Sequence, residues 1–400
     1  MPDKLHAAIA RYPVKALVLQ GGGALGGYQC GAYEAMHEAG VLPDWFSGIS
    51  IGAINAAIMA GNAPAERLPQ LRRFWETVAE PAGPLSAWAV AVRGLIAAIP
   101  DDESVLGWGR DMSALGALTQ GQRGFFRPRM FSPFLFADGS EHATSFYDTT
   151  PLRETLLSLV DFERINADSG VRLTVGAASV TTGNFRYFDS AREPIHVDHV
   201  MASGALPPAF PAVEIDGDAW WDGGIVSNTP LEYVLECHPH GDTLAFQVDL
   251  WPARGRRPQS MLDVHERVKE IRFSSRTRHG TRMVQLQQKL QAALLELVEL
   301  LPERKLPAHL QDTFAPYLDD RVFNIVHLIY QSKSHERQSK DYAFGLIPLR
   351  EHWETGLRDT RATLAHADYF TLPDRTVGFA VHDVHRERGT GGEGRGTSGE

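Results

Sequence analysis

Ser50 stands in Gly48-Ile49-Ser50-Ile51-Gly52, a setting suited to nucleophilic attack. A sharp strand-to-helix turn lifts a hydroxyl clear of the backbone and forces strained dihedrals, which small neighbours on both sides tolerate. The residues before it, Trp45 to Ile49, read as a short strand, and Ala53 to Ala60 read as an Ala-rich helix. The hydroxyl would then also sit at the positive end of a helix, where a developing alkoxide costs less. The plain alternative is a helix cap. In a glycine-rich chain of this length the pentapeptide arises by chance with a probability on the order of a tenth, so its weight comes from its context.

Upstream, Gly21-Gly22-Gly23-Ala24-Leu25-Gly26-Gly27 follows an apolar run directly and opens a helix. Such a loop turns several backbone N–H groups toward whatever lies above it and binds an anion, either the oxyanion of an acyl transfer or a phosphate. Gly21, Gly23 and Gly26 also satisfy G-x-G-x-x-G, but a dinucleotide site wants an acidic residue at the end of the second strand. Asp44 lies before that strand, and Ser50 with its glycines stands at its end. No Gly-Lys-Ser/Thr follows the loop, which excludes a P-loop. A third segment, Trp220-Trp221-Asp222-Gly223-Gly224 with Asn228 and Pro230 beyond, offers a carboxylate as base. Asp-Gly is otherwise a common hairpin turn.

These residues need a scaffold, and the pattern supplies one. A strand over Val14 to Gln20, the glycine turn, a helix over about Gln29 to Ala39, the strand at Trp45 and the helix at Ala53 make a βαβα start. That alternation predicts an α/β fold with a mainly parallel sheet between helices, its ligands at the carboxyl ends of the strands. Val171 to Val180 and Phe185 to Phe188 read as a hairpin in the same sheet, and Thr243 to Leu250 as another strand. Pro64 to Thr150 is irregular, with Trp88, Trp108, Phe125, Phe126 and Pro133-Phe134-Leu135-Phe136, and reads as an insertion with some helix.

After Trp251-Pro252 the chain turns basic and helical: Arg254, Arg256, Arg257, Arg267, Lys269, Arg272, Arg276, Arg278, Arg282 and Lys289 face only Asp263, Glu266 and Glu270. Met283, Leu286, Leu290, Leu294, Leu297 and Leu301 recur every three or four residues before Pro302, so one apolar stripe runs along a long helix. Packing on the core is the first reading of that stripe, and a membrane-surface or partner helix the second. The expected organisation is a core over 14–250 holding the 64–150 insertion, a mostly helical carboxyl-terminal extension over 251–385, and a disordered tail over 386–400.

The net charge of -10 and isoelectric point near 5.9 argue against nucleic acid as the main partner. Cys30 and Cys237 lie far apart without C-x-x-C spacing, which fits a reducing compartment and gives no metal site. Met1 to Arg11 lacks a signal-peptide apolar region, and the longest apolar stretch, Ala87 to Ile99, is broken by Arg93 and Gly94. A cytoplasmic protein, at most peripheral to a membrane, is expected.

Taken together, the glycine loop, G-x-S-x-G and D-G-G in this order resemble the patatin-like phospholipase family. The resemblance runs from Val14 to about Leu250 and takes in Ala202-Ser203 and Pro207 to Pro211. It implies a serine acyl-ester hydrolase acting on a lipid or other acyl ester through a Ser50–Asp222 dyad. Gly21, Gly22, Gly23 and Ala24 would form the oxyanion hole and Gly48, Gly52, Gly223 and Gly224 the flanking turns, with no metal or cofactor. Many members carry Arg or Lys before the glycine at position 26, where this chain has Leu25. The carboxyl-terminal part resembles an extension of some bacterial members, with no chemistry assigned. Two rivals are a nucleotide-dependent oxidoreductase using the first loop and a non-catalytic binding or scaffold protein. A histidine triad is a third arrangement: His196 and His199 come too early in the chain order of α/β-hydrolases, while His238 and His240 come late enough. His352, His366, His382 and His385 carry no motif.

Overall fold

The structure, a computed structural model, describes residues 2–80, 116, 119–167, 169–236, 241–300, 309–310, 314, 321–331 and 340–384. Ala87 to Ile99, Trp88, Trp108, Cys237, His238, His240, Leu301, Pro302, His385 and the polar tail from Arg386 lie outside them.

Among the described residues there are eleven strands: β1 Val14–Leu19, β2 Trp45–Gly48, β3 Arg127–Pro128, β4 Tyr147–Asp148, β5 Arg172–Ser179, β6 Phe185–Asp189, β7 Val213–Ile215, β8 Asp218–Asp222, β9 Thr243–Asp249, β10 Phe323–Ile329 and β11 Phe379–Asp383. The helices are α1 Pro2–Ile9, α2 Gly26–Glu38, α3 Ile51–Ala60, α4 Pro64–Ala79, α5 Thr150–Leu159, α6 Phe162–Asn166, α7 Val197–Ser203, α8 Leu231–Glu236, α9 Met261–Glu299 and α10 Leu346–Leu364. Nine strands form one sheet in the order β11-β10-β9-β1-β2-β5-β8-β7, with β6 also on β5. From β11 to β5 every pairing is parallel; β6 and β8 join β5, and β7 joins β8, antiparallel. The expected α/β architecture with a mainly parallel sheet is the one observed.

Side-chain alternation along β1 shows why both faces are covered. Leu17 and Leu19 enter the larger core, with Tyr28, Met36, Ile54, Ile58 and Trp353, while Ala16 and Val18 enter a smaller one with Leu231, Val234 and Leu235 of α8. On the larger side α10 lies close along α2: a Cβ at Gly31 would overlap the Trp353 carbonyl, and one at Gly356 the Tyr28 carbonyl. Neither position has room for a side chain.

The carboxyl-terminal part is helical, as expected, over α9 and α10. It also returns two strands to the sheet, which the sequence reading leaves out: β10 pairs with β9 over Phe323 to Ile329, and β11 continues the edge. Their apolar runs are short and follow uninformative stretches, so periodicity alone does not separate them from helix ends. The leucine stripe departs from its first reading. Leu286, Leu290 and Leu297 are 50%, 63% and 62% exposed while Leu294 is half-buried, so the described leucines of the stripe lie mostly in solvent. Among the described residues no helix is long and apolar enough to cross a membrane.

Candidate active site

β1 and β2 run parallel with Leu19 opposite Gly48, so the glycine loop and the serine turn leave the sheet side by side at its carboxyl edge. β5 pairs with β2 over its first half, Gly48 opposite Val175, and with β8 at its far end, Ala177 opposite Asp222. Asp222 therefore stands just beyond the end of β2, where Ser50 begins the next turn. Three segments separated by up to two hundred residues meet because β1 and β2 end side by side and β8, on the far side of β5, runs the opposite way and ends at the same level.

Ser50 has φ 58° and ψ −128°, a conformation that costs a non-glycine residue on the order of 1–3 kcal/mol and persists only where the surroundings over-determine it. They do so here. A Cβ at Gly48 would overlap the Gly52 carbonyl, and one at Gly52 the Leu19 carbonyl. The Ile49 N–H donates to the Leu19 carbonyl at 3.2 Å, and the Ser50 N–H to the Ser203 hydroxyl at 3.1 Å. Ser203, buried at the end of α7, donates in turn to the Gly176 carbonyl at 2.7 Å. The elbow is thus clamped between β1 and β5.

Asp222 is buried, and that burial pushes its carboxyl up to about 7. Hydrogen bonding from the Ser50 hydroxyl and from the Gly224 N–H, 2.7 Å from Oδ1, works in the opposite direction and favours the ionised form. Its own N–H donates to the Ala205 carbonyl. Asp222-Gly223 is not a hairpin turn: it opens a short 3-10 turn, Gly223–Ile225. The Asp-Gly hairpin lies at Asp216-Gly217, φ 52° and 82°, between β7 and β8. A Cβ at Gly223 would come within 2.6 Å of the Gly176 carbonyl.

The glycine loop lies against Ser50. A Cβ at Gly21 would be 2.9 Å from the Ser50 Cβ. Gly21 is tied to Asn228 twice, its N–H donating to the Asn228 carbonyl at 3.3 Å and its carbonyl accepting from Asn228 Nδ2 at 3.0 Å. Trp251 Nε1 donates to the same carbonyl at 2.9 Å. Gln20, fully buried, bonds Thr229 through Nε2 and receives the N–H groups of Leu250 and Trp251 on Oε1. Of the four residues expected to line an oxyanion hole, Ala24 also gives its N–H to protein, the Asp341 carbonyl at 2.9 Å. The N–H groups of Gly22 and Gly23 have no acceptor among the described residues. Leu25 is completely buried.

Asn228 and Ser203 are visible in the sequence only as neighbours of motifs, and Gln20, Trp251 and Asp341 carry no signal there. Asp44 forms an ion pair with Lys15 at 3.0 Å at the amino end of the sheet, away from the glycine loop. His199 is half of a local capping arrangement: Nδ1 accepts the His196 N–H at 2.9 Å, the ring packs on Phe188, and burial lowers its ionisation. No histidine is a hydrogen-bond partner of Ser50 among the described residues. His352 is buried against the loop, Nδ1 lying 3.3 Å from the Ala24 carbonyl. Among the described residues no group of three His, Cys, Asp or Glu side chains is placed to hold a metal ion.

A search of curated protein sequences finds no match. Among solved structures, VipD from Legionella pneumophila is similar at 16% identity, the match covering 88% of this chain and 67% of that one with a TM-score of 0.34. The type III effector protein ExoU matches at 16% identity, 89% and 53% coverage and a TM-score of 0.32. The complex of SpcU with ExoU from Pseudomonas aeruginosa matches at 18% identity, 76% and 60% coverage and a TM-score of 0.24. This chain thus spans about two thirds of VipD and about half of ExoU. A family model described as patatin phospholipase matches residues 271–376. Another, patatin-like phospholipase, matches residues 17–235, more than half of the 400 residues and all three segments of the site, so the chain belongs to the patatin-like phospholipase family.

Proposed function

We propose that the protein hydrolyses carboxylic ester bonds of lipids with Ser50 as nucleophile and Asp222 as the base acting on it. The observation that carries this reading is the pairing of a strained, clamped Ser50 with a buried carboxyl that titrates near neutrality. A base works best with its ionisation close to the working pH. Asp222 takes the hydroxyl proton as Ser50 Oγ forms a bond to the ester carbonyl carbon, and the carbonyl oxygen becomes an oxyanion. The N–H groups of Gly22 and Gly23 are the free donors for that charge, each worth about 3–4 kcal/mol where one such donor has been removed from a comparable site. Collapse breaks the bond to the leaving alcohol, which departs with the proton from Asp222 and leaves an acyl-serine. Water, deprotonated by Asp222, then attacks the acyl carbon, and Ser50 regains its proton. Fluorophosphonate labelling and p-nitrophenyl ester hydrolysis test this reading: both are expected in the wild type and absent in Ser50→Ala, and retained hydrolysis in that variant would end it.

The lipid is presented at a surface, and two exposed apolar features suit contact with it. One is the α9 leucine stripe. The other is the loop between β3 and β4, where Met130, Phe131, Phe134 and Leu135 are all exposed. That loop is joined to the approach to Asp222: Phe146 N–H donates to the Pro208 carbonyl and Tyr147 N–H to the Ala209 carbonyl, four residues past Ala205. The expected basic surface is narrower than its composition suggests, because Arg267 and Lys269 are engaged in internal ion pairs.

A further inference from the structure

We propose that Asp341 and Lys269 are positioning residues for the oxyanion loop, so that the carboxyl-terminal region completes the active site instead of merely accompanying it. This rests on the ester-hydrolase reading above. The Asp341 carbonyl accepts the Ala24 N–H at 2.9 Å and occupies the space where a side chain at residue 23 would stand. Gly23 has φ +56°, a conformation natural to glycine. Fixing the Ala24 N–H fixes the peptide plane between Gly23 and Ala24, and with it the backbone next to the two uncommitted donors of Gly22 and Gly23.

What holds the Asp341 carbonyl in place is a charged lock on α9. Lys269 Nζ lies 2.8 and 3.1 Å from the two Asp341 carboxylate oxygens. Lys340 Nζ, with 2% of its side chain exposed, lies 2.8 Å from both Glu266 Oε1 and Glu270 Oε1. Arg267 closes the set at 2.8 Å from Glu270 Oε2. Three cations and three anions balance, as a buried cluster must if it is not to cost stability. Trp251 joins the lock to the loop from the other side: its ring packs on Phe273 of α9 and under Lys340, and its Nε1 bonds the Gly21 carbonyl. Besides the Asn228 bonds at Gly21, the glycine loop is therefore held at Gly21 and at Ala24 by Trp251 and Asp341, both from beyond residue 250.

An oxyanion-loop role predicts a defect in kcat with KM preserved, because a mispositioned hole fails the transition state more than the bound ester. The test is steady-state hydrolysis of a soluble p-nitrophenyl ester by full-length wild type, Lys269→Ala, Asp341→Asn and Lys269→Arg, with competent enzyme counted by fluorophosphonate titration. The first two are expected to lose roughly tenfold or more in kcat per titrated site, with KM within about threefold, a margin below the roughly 10²–10³ lost when a donor itself is removed. Lys269→Arg, which keeps the ion pair, is expected to recover most of the loss. Wild-type kcat in folded Lys269→Ala and Asp341→Asn overturns the proposal, as does a change confined to KM, which would assign the segment to the acyl pocket. Should Lys269→Ala not fold, Lys269→Gln takes its place. Failure of all the charge-removing variants to fold makes the pair a folding element and equally overturns the proposal. A wild type that the fluorophosphonate does not label overturns the hydrolase reading itself, a separate result.

Discussion

The role proposed for Asp222 follows from its burial. A carboxyl in water ionises near 3.9, whereas here burial holds it at about 7. The base form then accumulates as pH rises, so kcat/KM is expected to climb through an apparent pKa near 7 and level off above it. Stability moves the other way. Between about pH 4 and 7 the folded protein holds a proton that the unfolded chain has released, so wild-type stability falls across that window and the ionised carboxylate costs the fold above it. Asp222→Asn has no such proton to lose. Its thermal unfolding is therefore expected to be less sensitive to pH between 5 and 8, with a gain over wild type at pH 8 on the order of a few kcal/mol. Parallel curves for the two proteins would place the carboxyl elsewhere on the pH scale. Leu25, where many relatives have a cation, is buried in the core and adds no charge to attract a headgroup.

The strand ends that deliver Ser50 and the glycine loop were legible in the sequence because each is a short apolar run ending in glycine, whereas β8, which ends at Asp222, was read only as a Trp-Trp-Asp-Gly-Gly segment. The predicted β1, β2, β5, β6 and β9 agree with the observed strands to within a residue or two at each end. β10 and β11 were not legible. They come late, carry no motif, and gain their meaning only by pairing, β10 with β9 across about eighty residues of chain and β11 with β10. The clamp on the elbow was equally silent, since a serine at the end of a seven-residue helix has no distinguishing pattern. Ser203→Ala tests that clamp. It leaves the partly buried Ser50 N–H and the Gly176 carbonyl without this partner, which is expected to lower stability by about 1–3 kcal/mol and to reduce kcat by relaxing the strained turn. Chemical denaturation and a kcat comparison on one preparation measure both; unchanged values for both would mean that β1 alone holds Ser50.

Across the whole molecule, the site draws on both halves of the chain. Ser50, Asp222 and the glycine loop fall in the first 236 residues, while Trp251 and Asp341, which bond the loop, and Lys269, which pairs with Asp341, follow. The same carboxyl-terminal region leaves Leu286, Leu290 and Leu297 of α9 in solvent. Replacing Leu286, Leu290 and Leu297 together with glutamine is expected to change unfolding free energy by no more than about 0.5 kcal/mol per site, as exposed positions do. It is also expected to weaken co-sedimentation with phospholipid vesicles and hydrolysis of vesicle lipid, while hydrolysis of a soluble short-chain ester stays at the wild-type rate. Loss of stability would instead mean that these leucines are covered in solution, and undiminished vesicle binding would remove the stripe from the lipid-contact surface.

The most direct test of the Ser50 nucleophile is covalent capture. Full-length protein is treated with a fluorophosphonate, digested, and the modified peptide sequenced by mass spectrometry, alongside p-nitrophenyl ester hydrolysis by wild type, Ser50→Ala and Asp222→Asn. The adduct is expected on Ser50 alone, with hydrolysis abolished in Ser50→Ala and reduced by several orders of magnitude in Asp222→Asn. An adduct on another serine, or full hydrolysis by Ser50→Ala, would contradict the assignment of Ser50 as the nucleophile.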